Sequence, residues 1–130
     1  MMTKEEHINY WVVTAHNDWI TVEAMFSTER FMHGLSWAHL VLEKLAKANW
    51  VRTHQENIPP KVHNIIWLLD ESNVDLGEEM TSFIYEFNRF QLSSRYPDYA
   101  NDIYNMCTKE FSEAQLEKVK EVRTCLLKML

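Results

Sequence analysis

Apolar residues along this chain recur every three or four positions over long stretches, which is the spacing of a helix with one buried face. The first stretch begins after Thr3 and Glu6, whose spacing is that of a capping box, in which each side chain satisfies a free backbone N–H. We therefore predict a first helix from this box to about Phe26. Its expected buried stripe is Ile8, Trp11, Val12, Ala15, Trp19, Val22 and Phe26.

A second helix is predicted from about Arg30 to Arg52, because its apolar residues follow a near-heptad spacing that suits packing in a bundle. Asn49 is the polar exception in this seam, and we expect exposure at the end of the helix to accommodate it. The expected seam is Phe31, Leu35, Ala38, Leu42, Leu45 and Asn49.

The remainder divides into shorter apolar stretches separated by turn residues. A short third helix is expected after Pro60, beginning with Lys61-Val62-His63-Asn64 and ending near Glu71. Three further helices are predicted: one that starts at about Asp75 and must end by about Arg95, one from Asp98 to Cys107, and one that starts at a capping box of Ser112 and Gln115.

The composition agrees with a helical protein of one domain. The chain has 130 residues, of which 46% are hydrophobic, so it can fill a core, and its two glycines and three prolines leave room for long helices. The predicted fold class is all-α: an up-and-down four-helix bundle with two short additional helices, in a single domain that spans 1–130.

The charge is acidic overall but unevenly distributed. The formal net charge is −6, which disfavours binding to nucleic acid or to an anionic membrane. The stretch between Lys44 and His63 nevertheless carries +3, which suits either an anionic ligand or a solvated, lysine-rich helix face. The charges in that stretch are Lys44, Lys47, Arg52, Lys61 and Glu56.

The sequence also bears on location. The N-terminal residues lack the apolar run of a signal peptide, and the chain has no apolar stretch of about 18 residues that would span a membrane. Cys107 and Cys125 have no metal-type spacing and are expected to be reduced thiols. We therefore expect a cytoplasmic protein without a membrane anchor.

The candidate ligand contacts gather where the second helix meets the third. Two lysines lie close together on the second helix, and another precedes the third helix, whose N-terminus would favour phosphate. A histidine can donate or accept a hydrogen bond there, an asparagine can contact a base edge, and an arginine before Pro97 can pair with an acidic group. These candidate residues are Lys44, Lys47, Lys61, His63, Asn64 and Arg95.

Structural roles compete with each of these assignments. His63 is equally suited to packing against the second helix, and Asn64 to a solvated surface position. His39 and Glu43 share a face four residues apart, and we expect a hydrogen bond between them rather than a metal site, since no third ligand is apparent. Glu43 and Lys47 have the spacing of a helix ion pair. No metal or cofactor is expected. Trp50 and Trp67 lie on either side of the connector between the second and third helices and are candidates for stacking on a base.

Several short segments together resemble the HEPN family of small helical proteins. Trp37-Ala38-His39-Leu40 with Glu43-Lys44 resembles the family's second helix. Pro59-Pro60-Lys61-Val62-His63-Asn64 resembles its proline–lysine–histidine–asparagine segment, and Arg95-Tyr96-Pro97 resembles its arginine–tyrosine–proline turn. The resemblance implies a helical bundle that forms a homodimer. It also implies one of three activities: a metal-independent ribonuclease, a nucleotide-binding module, or the partner of a small nucleotidyltransferase in a toxin–antitoxin type pair.

The signature of the ribonuclease members is an arginine followed, after four to six intervening residues, by a histidine. None of the five arginines in this chain has a histidine at that distance. The predicted function is therefore a non-enzymatic module that binds a nucleotide or pairs with a small nucleotidyltransferase. The alternatives are a divergent ribonuclease toxin with a rearranged site and a structural interaction bundle without a small ligand.

Overall fold

The computed structural model describes residues 1–91 and 97–130, and within them the chain is an all-α bundle of six α-helices, as predicted. A 3₁₀ helix at Asn88–Phe90 follows the fourth of them. The helices are α1 Lys4–Ser27, α2 Phe31–Thr53, α3 Ile65–Glu71, α4 Glu78–Phe87, α5 Pro97–Met106 and α6 Lys109–Lys128.

The second helix, α2, is the centre of the bundle. It packs against α1 along most of its length and also against α3, α6 and the 3₁₀ helix. Fifteen of its 23 residues are buried. A helix with one buried stripe would bury far fewer, so α2 is enclosed on nearly every side. Its polar side chains must therefore find partners inside the protein, because an unpaired buried polar group is costly.

The turn between α1 and α2 explains why the two helices lie side by side. The predicted capping box of Thr3 and Glu6 opens α1. At the other end, the N–H of Arg30 donates to the carbonyl of Met25 while Glu29 adopts a left-handed backbone with φ 60°. This is the Schellman arrangement that ends many helices. It lets α2 begin at once and return along α1.

A close approach of the two helices depends on Gly34 near the start of α2. A Cβ atom added at this position would lie 2.7 Å from the ring of Phe26 on α1. A side chain there would force that ring to move, so the absence of one allows the helices to meet closely.

Two predicted helix starts were wrong. The third helix begins at Ile65 rather than at Lys61, because the side chain of Asn64 caps it. The last helix begins at Lys109, three residues before Ser112, and the hydroxyl of its N-cap Thr108 accepts from the N–H of Phe111. Ser112 is therefore buried within α6 and caps nothing. The fourth helix gives way to the 3₁₀ helix after Phe87, well before Arg95.

The expectation for Asn49 was also wrong. Its side chain is fully buried, and its Nδ2 donates to the carbonyl of Leu45 at 3.0 Å and to that of Leu126 on α6 at 3.3 Å. Asn49 therefore joins the two helices through a buried hydrogen bond and is not an exposed exception.

Lys4 fixes the direction in which the chain leaves α2. Its Nζ, at the start of α1, donates to the carbonyls of Val51 and His54 at 2.8 and 2.7 Å. Carbonyls at a helix C-terminus lack partners within the helix, and a cation there also suits the helix dipole. The connector from His54 to Asn64, called the joint below, therefore starts from a fixed point.

Candidate functional site

The carboxylate of Glu43 lies at the centre of the candidate site. Glu43 is on α2, and only 4% of the residue is exposed. One of its oxygens accepts a hydrogen bond from Nζ of Lys47 at 3.0 Å, and Nδ1 of His63 lies 3.1 Å from the same oxygen. The structure thus brings together two of the predicted ligand contacts, Lys47 and His63, but on a carboxylate of the protein itself.

Both candidate lysines of α2 already have anionic partners. Lys47 is buried and pairs with Glu43, and its Nζ also lies 5.5 Å from the ring centre of Trp11 on α1, a cation–π contact. Lys44 forms an ion pair with Asp18 of α1, with 2.6 Å between Nζ and the carboxylate. The expected helix ion pair of Glu43 and Lys47 is confirmed, and both lysines serve to attach α1 to α2.

The predicted hydrogen bond between His39 and Glu43 is wrong, because His39 bonds to the 3₁₀ helix instead. Its Nε2 lies 3.1 Å from Oδ1 of Asn88. Burial is the largest influence on this imidazole and lowers its pKa below the ordinary value, although the hydrogen bond to Asn88 and the charge of Glu43 act in the opposite direction. His39 is thus a structural hydrogen-bond donor inside the bundle.

The remaining predicted contacts lie at the joint or outside the described residues. Asn64 caps α3, with its Oδ1 accepting from the N–H of Trp67 at 3.0 Å. Lys61 is exposed, but it precedes α3 and is not in the helix's first turn. His63 is both exposed, with 62% of its side chain accessible, and attached to α2 through Glu43. Arg95 lies outside the described residues.

The two tryptophans near the joint have different environments. Trp50 is buried, and its ring is stacked on His54 with the centroids 3.9 Å apart, so it cannot stack on a base. Trp67 remains 39% exposed. Ile58, in the joint, is 72% exposed. We call the four exposed residues Ile58, Lys61, His63 and Trp67 the joint surface.

The comparison with protein families shows to which family the chain belongs. The model of the HEPN domain matches residues 8–130, which is nearly the whole chain. The chain belongs to the HEPN family. No curated protein and no solved structure matches it.

Membership supports a general HEPN-family function, which is often that of a ribonuclease or of a nucleotidyltransferase partner, and it shows no specific function or partner. Neither a metal-binding group of side chains nor a membrane-spanning helix is found in the part of this HEPN domain that the structure describes. No three His, Cys, Asp or Glu side chains there are grouped as a metal ion requires. None of the described helices has both the length and the apolar character needed to cross a bilayer.

At the Glu43–His63 pair, a buried carboxylate holds an exposed imidazole and so fixes the orientation of its ring. Sequence reasoning had noted both residues separately but not their contact. It had missed the roles of Asp18 and Asn88 in the same way, because each meets a residue of α2 that is distant along the chain.

Replacing Glu43 by alanine tests the buried pair. Glu43→Ala leaves the ammonium of Lys47 buried without its partner, so we expect the free energy of unfolding to fall by about 3 kcal/mol. The matched control is Glu117→Ala, which removes an exposed ion pair with Lys120 and should cost less than about 0.5 kcal/mol. Urea unfolding of both variants measures the difference, and equal losses would contradict this role of Glu43.

The lowered pKa of His39 predicts a pH dependence of stability. The unfolded chain, in which a histidine has a pKa of about 6.5, takes up this proton before the folded protein does. The free energy of unfolding should therefore decrease as the pH falls below that value and level off below the folded pKa. His39→Gln keeps a donor for Asn88 and should reduce the slope between pH 7 and 5. An unchanged slope would show that His39 is not its source.

Proposed function

We propose that this HEPN domain is a non-enzymatic module that pairs with a small nucleotidyltransferase. The observation that carries the proposal is the internal pairing of Lys44 and Lys47, the two lysines expected to hold phosphate. When their partners Asp18 and Glu43 are counted, the local excess of three positive charges falls to one. A phosphate binding there would have to displace a carboxylate from each lysine.

The joint surface supports a protein partner. Ile58 and Trp67 expose large apolar groups three and four residues in sequence from Lys61 and His63, respectively. Aromatic residues are enriched at protein interfaces, and cations at the rim improve the rate and specificity of association. His63 is held in place by Glu43, so this part of the surface is ordered before a partner arrives.

A nucleotide at the same surface is the second candidate, favoured by the exposed indole of Trp67. An exposed tryptophan can stack on any base, and Lys61 supplies a cation that is not engaged by an ion pair among the described residues. The divergent ribonuclease alternative has support from the Glu43–His63 pair alone. The absence of the family's arginine–histidine signature and the net charge of −6 both weigh against it.

Two binding measurements separate these functions. For the partner function, co-expression with a small nucleotidyltransferase encoded beside this chain should yield a complex that Ile58→Ser together with Trp67→Ala weakens. Tyr104→Ala, which removes an exposed aromatic residue of α5, should leave the complex intact. In a thermal-shift panel of nucleotides, the Tm of the HEPN domain alone should not change. A ligand that binds only the folded state raises the Tm, so an unchanged Tm indicates that no nucleotide binds.

Contrary results identify the alternatives. A nucleotide that raises Tm in the wild type but not in Trp67→Ala or Lys61→Ala would favour the nucleotide-binding module. Degradation of a mixed RNA pool by the wild type, but not by His63→Gln, would favour the ribonuclease. Failure to form any complex with the nucleotidyltransferase would contradict the proposal itself.

We also propose that the domain forms a homodimer through the outward face of α1. Tyr10, Val13 and Ile20 are exposed there, although they are large apolar residues. Together with Asn17 they follow the heptad spacing at which two helices of separate chains pack against each other. A second copy presents the same stripe, so the contact is self-complementary around a two-fold axis. An asparagine within such a seam favours a single register.

The dimer proposal is tested by a charge placed in the stripe. Ile20→Lys puts two ammonium groups into the proposed contact, so sedimentation equilibrium should show a dimer for the wild type and a monomer for the variant. Tyr85→Lys introduces the same charge at an exposed aromatic residue of α4 and should remain dimeric. A monomeric wild type, or a dimer that survives Ile20→Lys, would overturn this interface.

A further inference from the structure

A groove between α4 and α6 has an apolar floor. It has a volume of about 320 Å³, close to the lower limit for pockets that hold small ligands. Met80 and Phe83 of α4 and the buried Val122 of α6 contribute the floor. The joint surface lies elsewhere, since none of its residues lines this groove.

Three carboxylates surround that floor. Glu79 and Glu86 lie seven residues apart on the same face of α4, and Glu121 lies on α6. All three are exposed, and none has an ion pair or a side-chain hydrogen bond with any residue in the described ranges. Their charges are therefore available to a ligand, and they repel phosphate groups.

Each of the two cations that line the groove makes a cation–π contact with an aromatic ring. The ammonium of Lys118 lies 5.8 Å from the ring centre of Phe83. The guanidinium of Arg89 lies 5.5 Å from each of the ring centres of Phe90 and Phe111. Neither cation is paired with a carboxylate of the rim. The contact of Lys118 also shows that the face of Phe83 accepts a positive charge, as cation–π geometry requires.

From these contacts we infer that the groove is the docking site for a cationic amphipathic helix of a partner protein. Apolar residues of such a helix, three and four positions apart, would cover the floor, and lysines or arginines beside them would meet the three carboxylates. The net charge of −6 also attracts a positively charged partner. The inference goes beyond the proposed function, because it does not require the partner to be a nucleotidyltransferase.

The test uses a model peptide as the probe. A leucine–lysine peptide of about 15 residues, with its leucines at helical spacing, is long enough to form a marginal helix. We expect it to bind the full chain and to shift the NMR signals of the Met80 and Val122 methyl groups. A peptide with glutamate in place of lysine should bind at least tenfold more weakly.

Matched variants locate the effect. Glu86→Gln with Glu121→Gln should weaken binding of the lysine peptide by about fivefold to tenfold, since each removes one surface charge pair. Glu113→Gln with Glu117→Gln makes the same change of charge on α6 but outside the groove, and it should change binding less than twofold. All four positions are exposed, so the variants should fold.

Four results would overturn the inference. Equal losses in the two double variants would show general charge attraction, and equal binding of the glutamate peptide would show apolar adhesion. Peptide-induced shifts confined to α1 or the joint surface would locate the site elsewhere. Shifts of Met80 and Val122 that depend on protein concentration without peptide would identify a second copy of this chain as the occupant.

Discussion

The fold depends on one constraint: α2 is enclosed by the rest of the protein, so its polar side chains need partners from neighbouring elements. Glu43 is the clearest case, because its buried carboxylate holds Lys47 of the same helix and His63 of the joint. Removing either partner would leave a buried charge or a buried acceptor unsatisfied. The pairing therefore fixes both the interior of the bundle and the path of the joint.

The other polar residues of α2 each contact a different neighbour. Lys44 pairs with Asp18 of α1, Asn49 bonds to the backbone of α6, and His39 bonds to Asn88 in the 3₁₀ helix. Apolar packing alone tolerates small sliding movements of one helix along another, whereas each of these bonds is satisfied in one arrangement only. We conclude that the polar residues of α2 specify how its neighbours are aligned.

Because the polar residues of α2 are engaged inside the bundle, a ligand or partner meets the exposed surfaces of the protein. Lys44 and Lys47, which first suggested a phosphate site, are ion-paired within the protein. The exposed apolar residues of the joint surface, the outward face of α1 and the α4–α6 groove are features that a partner can reach. Three such surfaces on one small domain are more typical of a protein that works in a complex than of one that binds a small molecule alone.

Local patterns in the sequence predicted the fold well, but contacts between distant residues limited the prediction of the site. The buried stripe of α1 and its capping box at Thr3 follow from spacing alone. The all-α class follows from the repeated helical pattern. The start of α6 was misplaced because the cap at Thr108 lacks the glutamate that marks a capping box.

The errors within the site have a common cause. Lys44 and His39 have partners 26 and 49 residues away in sequence, Asp18 and Asn88, and no local spacing reveals such pairs. Lys47 was assigned to a ligand although its partner Glu43 is one helical turn away, because the sequence does not show that this ion pair is buried. The HEPN resemblance identified the family correctly, but it did not separate structural residues from those available to a ligand.

A double-mutant cycle on Glu43 and Lys47 tests the central claim most directly. Glu43→Gln and Lys47→Met are made singly and together, and the free energy of unfolding of all four proteins is measured in urea. If these side chains serve the fold, the double variant should be more stable than the sum of the single effects predicts, with a coupling of about 1.5 kcal/mol or more. Additive effects, to within about 0.5 kcal/mol, would contradict the account and leave Lys47 free to act on a ligand.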